Sequence, residues 1–346
     1  MSNVAMLYHG NNEELHPAHR GFAESINADI LSISSTSPHS VNSFYQEFSR
    51  GFHAGDYEVI IAEGSRPLYS GLVHKANYES KLIYLCADHR LYELWNNTVK
   101  VDSIYNLFKY MAGTYGKSVI RTVAQHSIDG IIAVSEYVKK YLDPIFQERV
   151  PTQIAHPYIQ SGIFDRLGEN CPNLNEKTAL TVGRATRYKG VDLLVEAWPY
   201  IREHHPDAEL HIVGNGHPES LEDTPGVTVH GFVDDIVDVY ANASLYIQPS
   251  RVDPFPVTVL EALRSGLPTL VTESTGNRSE VTEITDELIA PASPNELSAA
   301  VSWYFNLSEE RKKKLSDSAR TRGKRFEPNK RKKIFREKFQ KLITQC

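Results

Sequence analysis

The sequence predicts a two-domain α/β protein, each domain a doubly wound parallel sheet with helices on both faces. Three observations carry this expectation. The chain is 346 residues long, more than one ordinary domain holds. Short, continuous apolar segments alternate with helical stretches, the pattern of buried parallel strands joined by crossover helices. The alternation stops at a proline-marked stretch, Pro151 to Pro172, and then starts again. That stretch reads as the linker, with domains over residues 1–160 and 161–328. A composition of 41% hydrophobic and 23% charged residues suits folded cores and excludes a disordered chain.

In the first domain, Val4 to Tyr8 is a strand ending at His9-Gly10, and Glu58 to Ala62 is a second, followed by the loop Glu63-Gly64-Ser65-Arg66-Pro67. Leu82 to Ala87 is a third, stopping at Asp88-His89-Arg90. Gly130 to Val134 is a fourth, after which Ser135 is set to cap a helix over Glu136 to Leu142. Helical stretches at 17–27, 42–54, 67–79 and 99–127 separate them. Core packing accounts best for the apolar residues between Val101 and Arg121. In the second domain the strands are Thr178 to Val182, Glu209 to Val213, Val227 to His230, Ser244 to Gln248 and Thr269 to Thr272. Helices follow over Val191 to His204, 234–241 and 257–265.

Charge is unevenly spread. Residues 307–346 carry 15 Lys or Arg against 5 Asp or Glu, and the other 306 residues carry 22 against 38. Ile334, Phe335, Phe339 and Leu342 recur at helical spacing among the basic residues, so a helix packed on one side is expected there. No aromatic residues interleave with the charges as base stacking needs, which argues against nucleic acid. The best apolar run, Leu82 to Ala87, is far short of the roughly 18 residues that cross a bilayer. The first residues lack the basic lead and apolar core of a secretory leader. Three scattered cysteines form neither a disulfide framework nor a metal-ligand pair, and a reducing cytoplasm is the expected location.

The residues with chemistry cluster in the second half. Pro254 and Pro256 hold the chain extended before a helix starting near Val257, whose first N–H groups and dipole suit a phosphate. Asp253 precedes that helix and Glu261 lies in its second turn. Carboxylates there would repel phosphate but accept hydrogen bonds from the hydroxyls of a ribose or a sugar. The plain alternative is a turn residue and a solvated helix residue. Gly183-Arg184-Ala185-Thr186-Arg187-Tyr188-Lys189-Gly190 follows the domain's first strand. Arg184 and Lys189 offer a diphosphate one fork donor and one point charge. Gly214-Asn215-Gly216 follows the next strand.

These elements together resemble the retaining family 4 glycosyltransferases (glycosyl transferases group 1). The matching segments are Ile131 to Lys140, Val182-Gly183-Arg184-x4-Lys189-Gly190, Val213 to Gly216, His230-Gly231-Phe232-Val233, Gln248-Pro249-Ser250, and the paired-acid stretch Asp253 to Glu261. The resemblance covers residues 130–285 and is much weaker in the first 125. It implies the GT-B fold, two facing Rossmann-like domains. The first would be the acceptor side, with the helix 329–346 packed back on it; the second would bind the nucleotide sugar. It implies that Arg184 and Lys189 bind the donor diphosphate, that Glu261 meets the ribose, and that Asp253 meets the transferred sugar. Gly183, Gly214, Phe232 and Val233 would border the nucleotide, and Val257 and Thr258 would supply amides to the phosphate. His89 would lie against the donor sugar, ahead of His9, His126 and Asp88 for that place.

Two positions depart from the pattern: Asp253 stands where a glutamate is usual, and Pro256 where a glycine is. The resemblance further implies a UDP- or GDP-linked donor, no cofactor or metal, same-face attack without a protein nucleophile, and a saccharide or lipid-linked acceptor. Peripheral contact with an anionic membrane face is the alternative reading of Val101 to Arg121, with Lys100, Lys109, Lys117 and Arg121, and a second role for the basic tail. Glycoside hydrolysis by Asp253 and Glu261 leaves Arg184 and Lys189 unexplained, and a dehydrogenase lacks its Gly-x-Gly-x-x-Gly. A catalytically silent nucleotide-sugar binder or scaffold is the competing class.

Overall fold

The computed structural model describes residues 3–10, 15–33, 57–96, 110–111, 113–114 and 116–346. The chain divides into two compact units, Met1–Pro157 with Arg331–Cys346, and Tyr158–Lys330.

The first unit holds β1 (Val4–His9), β2 (Asp29–Ile33), β3 (Val59–Glu63), β4 (Lys81–Cys86), β5 (Gly130–Ala133) and β6 (Thr152–Ile154). They form one parallel sheet in the order β2-β1-β3-β4-β5-β6. Its described helices are α1 (Pro17–Ser25), α2 (Ser65–Lys75), α3 (Arg90–Asn96), α4 (Lys117–Ser127) and α5 (Glu136–Phe146). Ser135 caps α5, its Oγ accepting the Val138 N–H at 3.1 Å. The central strands are apolar throughout because both faces are covered: Met6, Leu7, Ile61, Ile83, Leu85 and Ile131 are fully buried. Strand β2 alternates instead, with Leu31 and Ile33 buried and Asp29 and Ser32 exposed. An edge strand of that kind gives no continuous apolar run, and this is why sequence reasoning passes over it.

The second unit holds β7 (Thr178–Val182), β8 (Glu209–Val213), β9 (Val227–Gly231), β10 (Leu245–Gln248), β11 (Thr269–Thr272) and β12 (Ile289–Ala290). The order is β12-β11-β10-β7-β8-β9, again all parallel. Helices α6 (Ser161–Glu169), α7 (Val191–His204), α8 (Ile236–Ala241), α9 (Val257–Ser265), α10 (Arg278–Thr282), α11 (Pro294–Phe305) and α12 (Glu309–Gly323) belong to this unit. Gly266, at φ 81°, ends α9 in the left-handed conformation that suits glycine.

Pro151 to Pro172, read as the linker, holds the point where the chain passes between the units, at Pro157 and Tyr158, and it also contains β6 and α6. The stretch 42–54 and residues 99–109 lie outside the described residues. Of the apolar residues between Val101 and Arg121 that are described, Tyr110, Met111 and Val119 are exposed, at 40%, 47% and 65%, and Ile120 is half-buried, so core packing does not hold for them.

The basic C-terminal residues form α13 (Pro328–Gln345), started by Pro328 and by Glu327, whose carboxylate accepts the Asn329 and Lys330 N–H groups. From Arg331 onward they belong to the first unit. Phe335, Phe339 and Leu342 are buried there and Ile334 is half-buried. The Phe335 ring stacks on Phe22 of α1, with centroids 4.2 Å apart and planes 3° from parallel. Lys333, Arg336 and Lys341 stay in solvent. Among the described residues, no helix is long and apolar enough to cross a membrane.

Candidate functional site

In a doubly wound sheet, ligands bind beyond the carboxyl ends of the strands, where the strand order reverses. In the second unit that point lies between β7 and β10. The loops leaving them, 183–190 and 249–256, are joined to one another. The Arg251 N–H donates to the Tyr188 carbonyl at 2.8 Å. Arg251 also grips Asp192 through both guanidinium nitrogens, at 2.6 and 2.7 Å, and donates to the Arg187 carbonyl at 2.8 Å. Gly190 makes the approach sterically feasible: at φ 69°, a Cβ would overlap the Pro249 carbonyl oxygen.

At the centre, Lys189 Nζ lies 2.7 Å from Asp253 Oδ2, with the two side chains 18% and 8% exposed. Burial by itself would lower the Lys189 pKa, but the Asp253 carboxylate outweighs it and holds the ammonium above its ordinary value. The two residues assigned to diphosphate and sugar therefore neutralise each other in this structure. Arg184 is exposed on the same loop. Its neighbour Gly183 is fixed by two bonds, its N–H donating to the Val213 carbonyl at 2.9 Å and its own carbonyl meeting His217 Nε2 at 2.8 Å.

Helix α9 begins after Pro256 without a side-chain cap. The Val257 and Thr258 N–H groups stand at its first two positions, where no intrahelical carbonyl reaches them. Beneath them, Tyr246 OH donates to Gln248 Oε1 at 2.7 Å and lies 2.8 Å from Thr258 Oγ1, and Gln248 Nε2 donates to Ser250 Oγ at 2.7 Å. Burial raises the Tyr246 pKa, so the phenol keeps its proton as a donor. Glu261 is half-buried, and its Oε2 accepts the Tyr240 hydroxyl at 2.8 Å. Desolvation pushes its carboxyl above the ordinary value, against the opposing hydrogen bond from Tyr240. Sequence reasoning missed Tyr240, His217 and Arg251, which reach the site only through the fold; Gln248 and Ser250 were legible as the segment closing β10.

The loops bounding β8 and β9 complete this edge. Gly214 has φ 135°, and a Cβ there would overlap the Gly183 carbonyl oxygen. Phe232 is 69% exposed and Val233 half-buried, just beyond β9. A large aromatic ring left in solvent beside a ligand edge is suited to stacking. His89 lies in the first unit beyond β4, its Nε2 3.4 Å from Glu93 Oε1. Its neighbour Asp88 is structural: it accepts from the Ser65 N–H at 2.8 Å and the Arg90 N–H at 3.0 Å, capping the starts of α2 and α3.

The arrangement defines a class, the GT-B fold of two Rossmann-like domains. The crystal structure of HepE from Anabaena in complex with UDP and glucose superimposes with a TM-score of 0.73 at 14% identity, covering 99% of this chain and 100% of that one. Within the chain, residues 176–306 match the family model Glycosyl transferases group 1. The chain is 28% identical over 220 residues to an uncharacterized glycosyltransferase of Haemophilus influenzae, 61% of this chain and 55% of the relative. It is 24% identical over 209 residues to the UDP-Gal:alpha-D-GlcNAc-diphosphoundecaprenol alpha-1,3-galactosyltransferase of Escherichia coli, 56% of this chain and 52% of that protein. The chain thus spans about half the length of these two curated relatives.

Proposed function

We propose that the chain is a retaining glycosyltransferase moving a hexose or related sugar from a UDP- or GDP-linked donor to an acceptor hydroxyl. One observation carries this reading. The Lys189–Asp253 pair sits where the strand order reverses, beside the exposed Arg184 and the open amides of Val257 and Thr258. A diphosphate arriving there takes over the Lys189 ammonium and frees the Asp253 carboxylate to accept from a sugar hydroxyl. Glu261 accepts from the ribose, and Phe232, Val233 and Gly214 border the base. His89 enters the proposal on the resemblance alone.

In the reaction the bond from the anomeric carbon to the phosphate oxygen breaks, and the acceptor oxygen bonds to that carbon on the same face. The acceptor proton passes to the departing phosphate oxygen. Negative charge on that phosphate grows through the transition state. Arg184, Lys189 and the α9 amides stabilise it there more than in the ground state, which is what accelerates transfer. The proposal assigns this charge compensation to side chains and helix amides rather than to a metal. The acceptor is a saccharide or a lipid-linked saccharide. Val119 and Val123, exposed beside Lys117 and Arg121, support peripheral contact with an anionic inner membrane face.

A thermal-shift screen over UDP-, GDP- and ADP-sugars tests the donor half. A ligand at a hundred times its Kd adds about 2.7 kcal/mol to the native state, a plain rise in melting point. The donor that shifts the protein is then supplied with acceptor saccharides and product is followed. No shift with any donor overturns the reading; binding with neither transfer nor donor hydrolysis overturns its enzymatic half.

A further inference from the structure

One polar side chain beside the site has no use in the reading above. Asn277 is fully buried, and both Oδ1 and Nδ2 of its carboxamide are without a hydrogen-bond partner. Among the described residues, no other side chain has both ends orphaned. Two donors and an acceptor withdrawn from water without partners cost stability. Nor does the side chain cap the short helix α10 that it precedes.

The position of the residue supplies a reason. The segment after β11 is laced to Asp253: the Asp253 N–H donates to the Ser274 carbonyl at 3.0 Å, and the Gly276 N–H donates to the Asp253 carbonyl at 2.9 Å. Buried threonines fix that segment, Thr272 Oγ1 lying 3.0 Å from Thr275 Oγ1 and donating to the Ser250 carbonyl at 2.5 Å. Asn277 is thus one residue beyond a short ladder to the backbone of Asp253, the residue whose carboxylate is assigned to the sugar. Asp253 only accepts hydrogen bonds, and a hydroxyl is both donor and acceptor. A carboxamide supplies both complements.

We propose that Asn277 is a specificity residue that reads a hydroxyl of the transferred sugar. This rests on the assignment of Asp253 to that sugar. The donor therefore carries a hydroxyl at the position Asn277 reads, and the matching deoxy sugar is rejected, because it would leave the buried carboxamide unpaired.

The test compares Asn277→Ala and Asn277→Leu with the native protein by calorimetric titration of UDP, UDP-glucose, GDP and GDP-mannose, with melting points measured without ligand. The expected result is an unchanged Kd for the free nucleotide, a Kd for the sugar nucleotide about ten- to a hundred-fold weaker, and an unliganded melting point equal or higher. Equal weakening of nucleotide and sugar nucleotide overturns the proposal, as does no change in either. A fall in the unliganded melting point in both variants also overturns it, marking Asn277 as a structural seat for an internal water. If the native protein binds neither nucleotide nor sugar nucleotide, the function proposed above fails first and this inference with it.

Discussion

Replacing Lys189 with alanine removes the cation beside Asp253 and leaves that carboxylate in a site only 8% exposed. Breaking a fully buried ion pair by deleting one partner costs about 3–5 kcal/mol, chiefly through the charge left behind. Lys189 keeps some contact with water at 18% exposure, so the lower end applies, about 3 kcal/mol. For a domain of this size that lowers the melting point by roughly 6–12 °C. Differential scanning calorimetry of the whole chain reads it. Adding Asp253→Asn removes the stranded charge and recovers about 2 kcal/mol of the loss, a coupling that a double-mutant cycle isolates. A pH arm gives the sign independently. Lys189 is held above its ordinary value in the folded state. The stabilisation by the pair is therefore complete below about pH 10.4 and is lost as pH rises through the higher folded value. Lys189→Ala shows no such alkaline loss. Diphosphate affinity, measured well below the melting point, falls by about 2–5 kcal/mol. A Lys189→Ala protein that melts like the native one, with no recovery in the double variant, would refute the view that these side chains satisfy each other.

Glu261→Gln keeps an acceptor for Tyr240 and removes a carboxyl whose folded pKa is raised by burial. The native protein loses stability as pH climbs from about 4.3 through that raised value, because there the folded state holds the proton more tightly. The variant lacks this slope while binding the nucleotide sugar less tightly, and a sharp fall in its unliganded melting point would instead make Glu261 structural. Phe335→Ala opens a cavity against Phe22 and costs about 3–5 kcal/mol by chemical denaturation; a loss under 1 kcal/mol would show that α13 contributes little to the first unit.

Much of this was legible from local pattern. Strands β7, β8 and β11 and helices α7 and α9 fall at the residues that apolar runs and glycine or proline punctuation mark out. Each is buried on both faces or tightly punctuated, so its signal is continuous in the chain. Strands β2 and β6 escaped notice, being edge strands whose residues alternate or stay half-buried. Helix α6 went unread because prolines on either side suggested a linker. At the candidate site, Arg184, Lys189, Asp253 and Glu261 are singled out by glycine-bounded loops and a helix start, which are local signals as well.

What the sequence by itself determined is therefore the two series of strands and helices and the residues that end on the ligand edges of the second. Only the tertiary structure decided how those residues are spent before a ligand arrives. Lys189 and Asp253 are 64 residues apart in the chain, and nothing in either neighbourhood says that they neutralise each other. Tyr240 reaches Glu261 across 21 residues, and Asn277 is stranded beside Asp253 because β11 pairs with β10. Local propensity and apolar period act over a few residues and are written in order along the chain. Charge pairing, desolvation and hydrogen-bond satisfaction depend on distance in space, which the order of strands in the sheet sets.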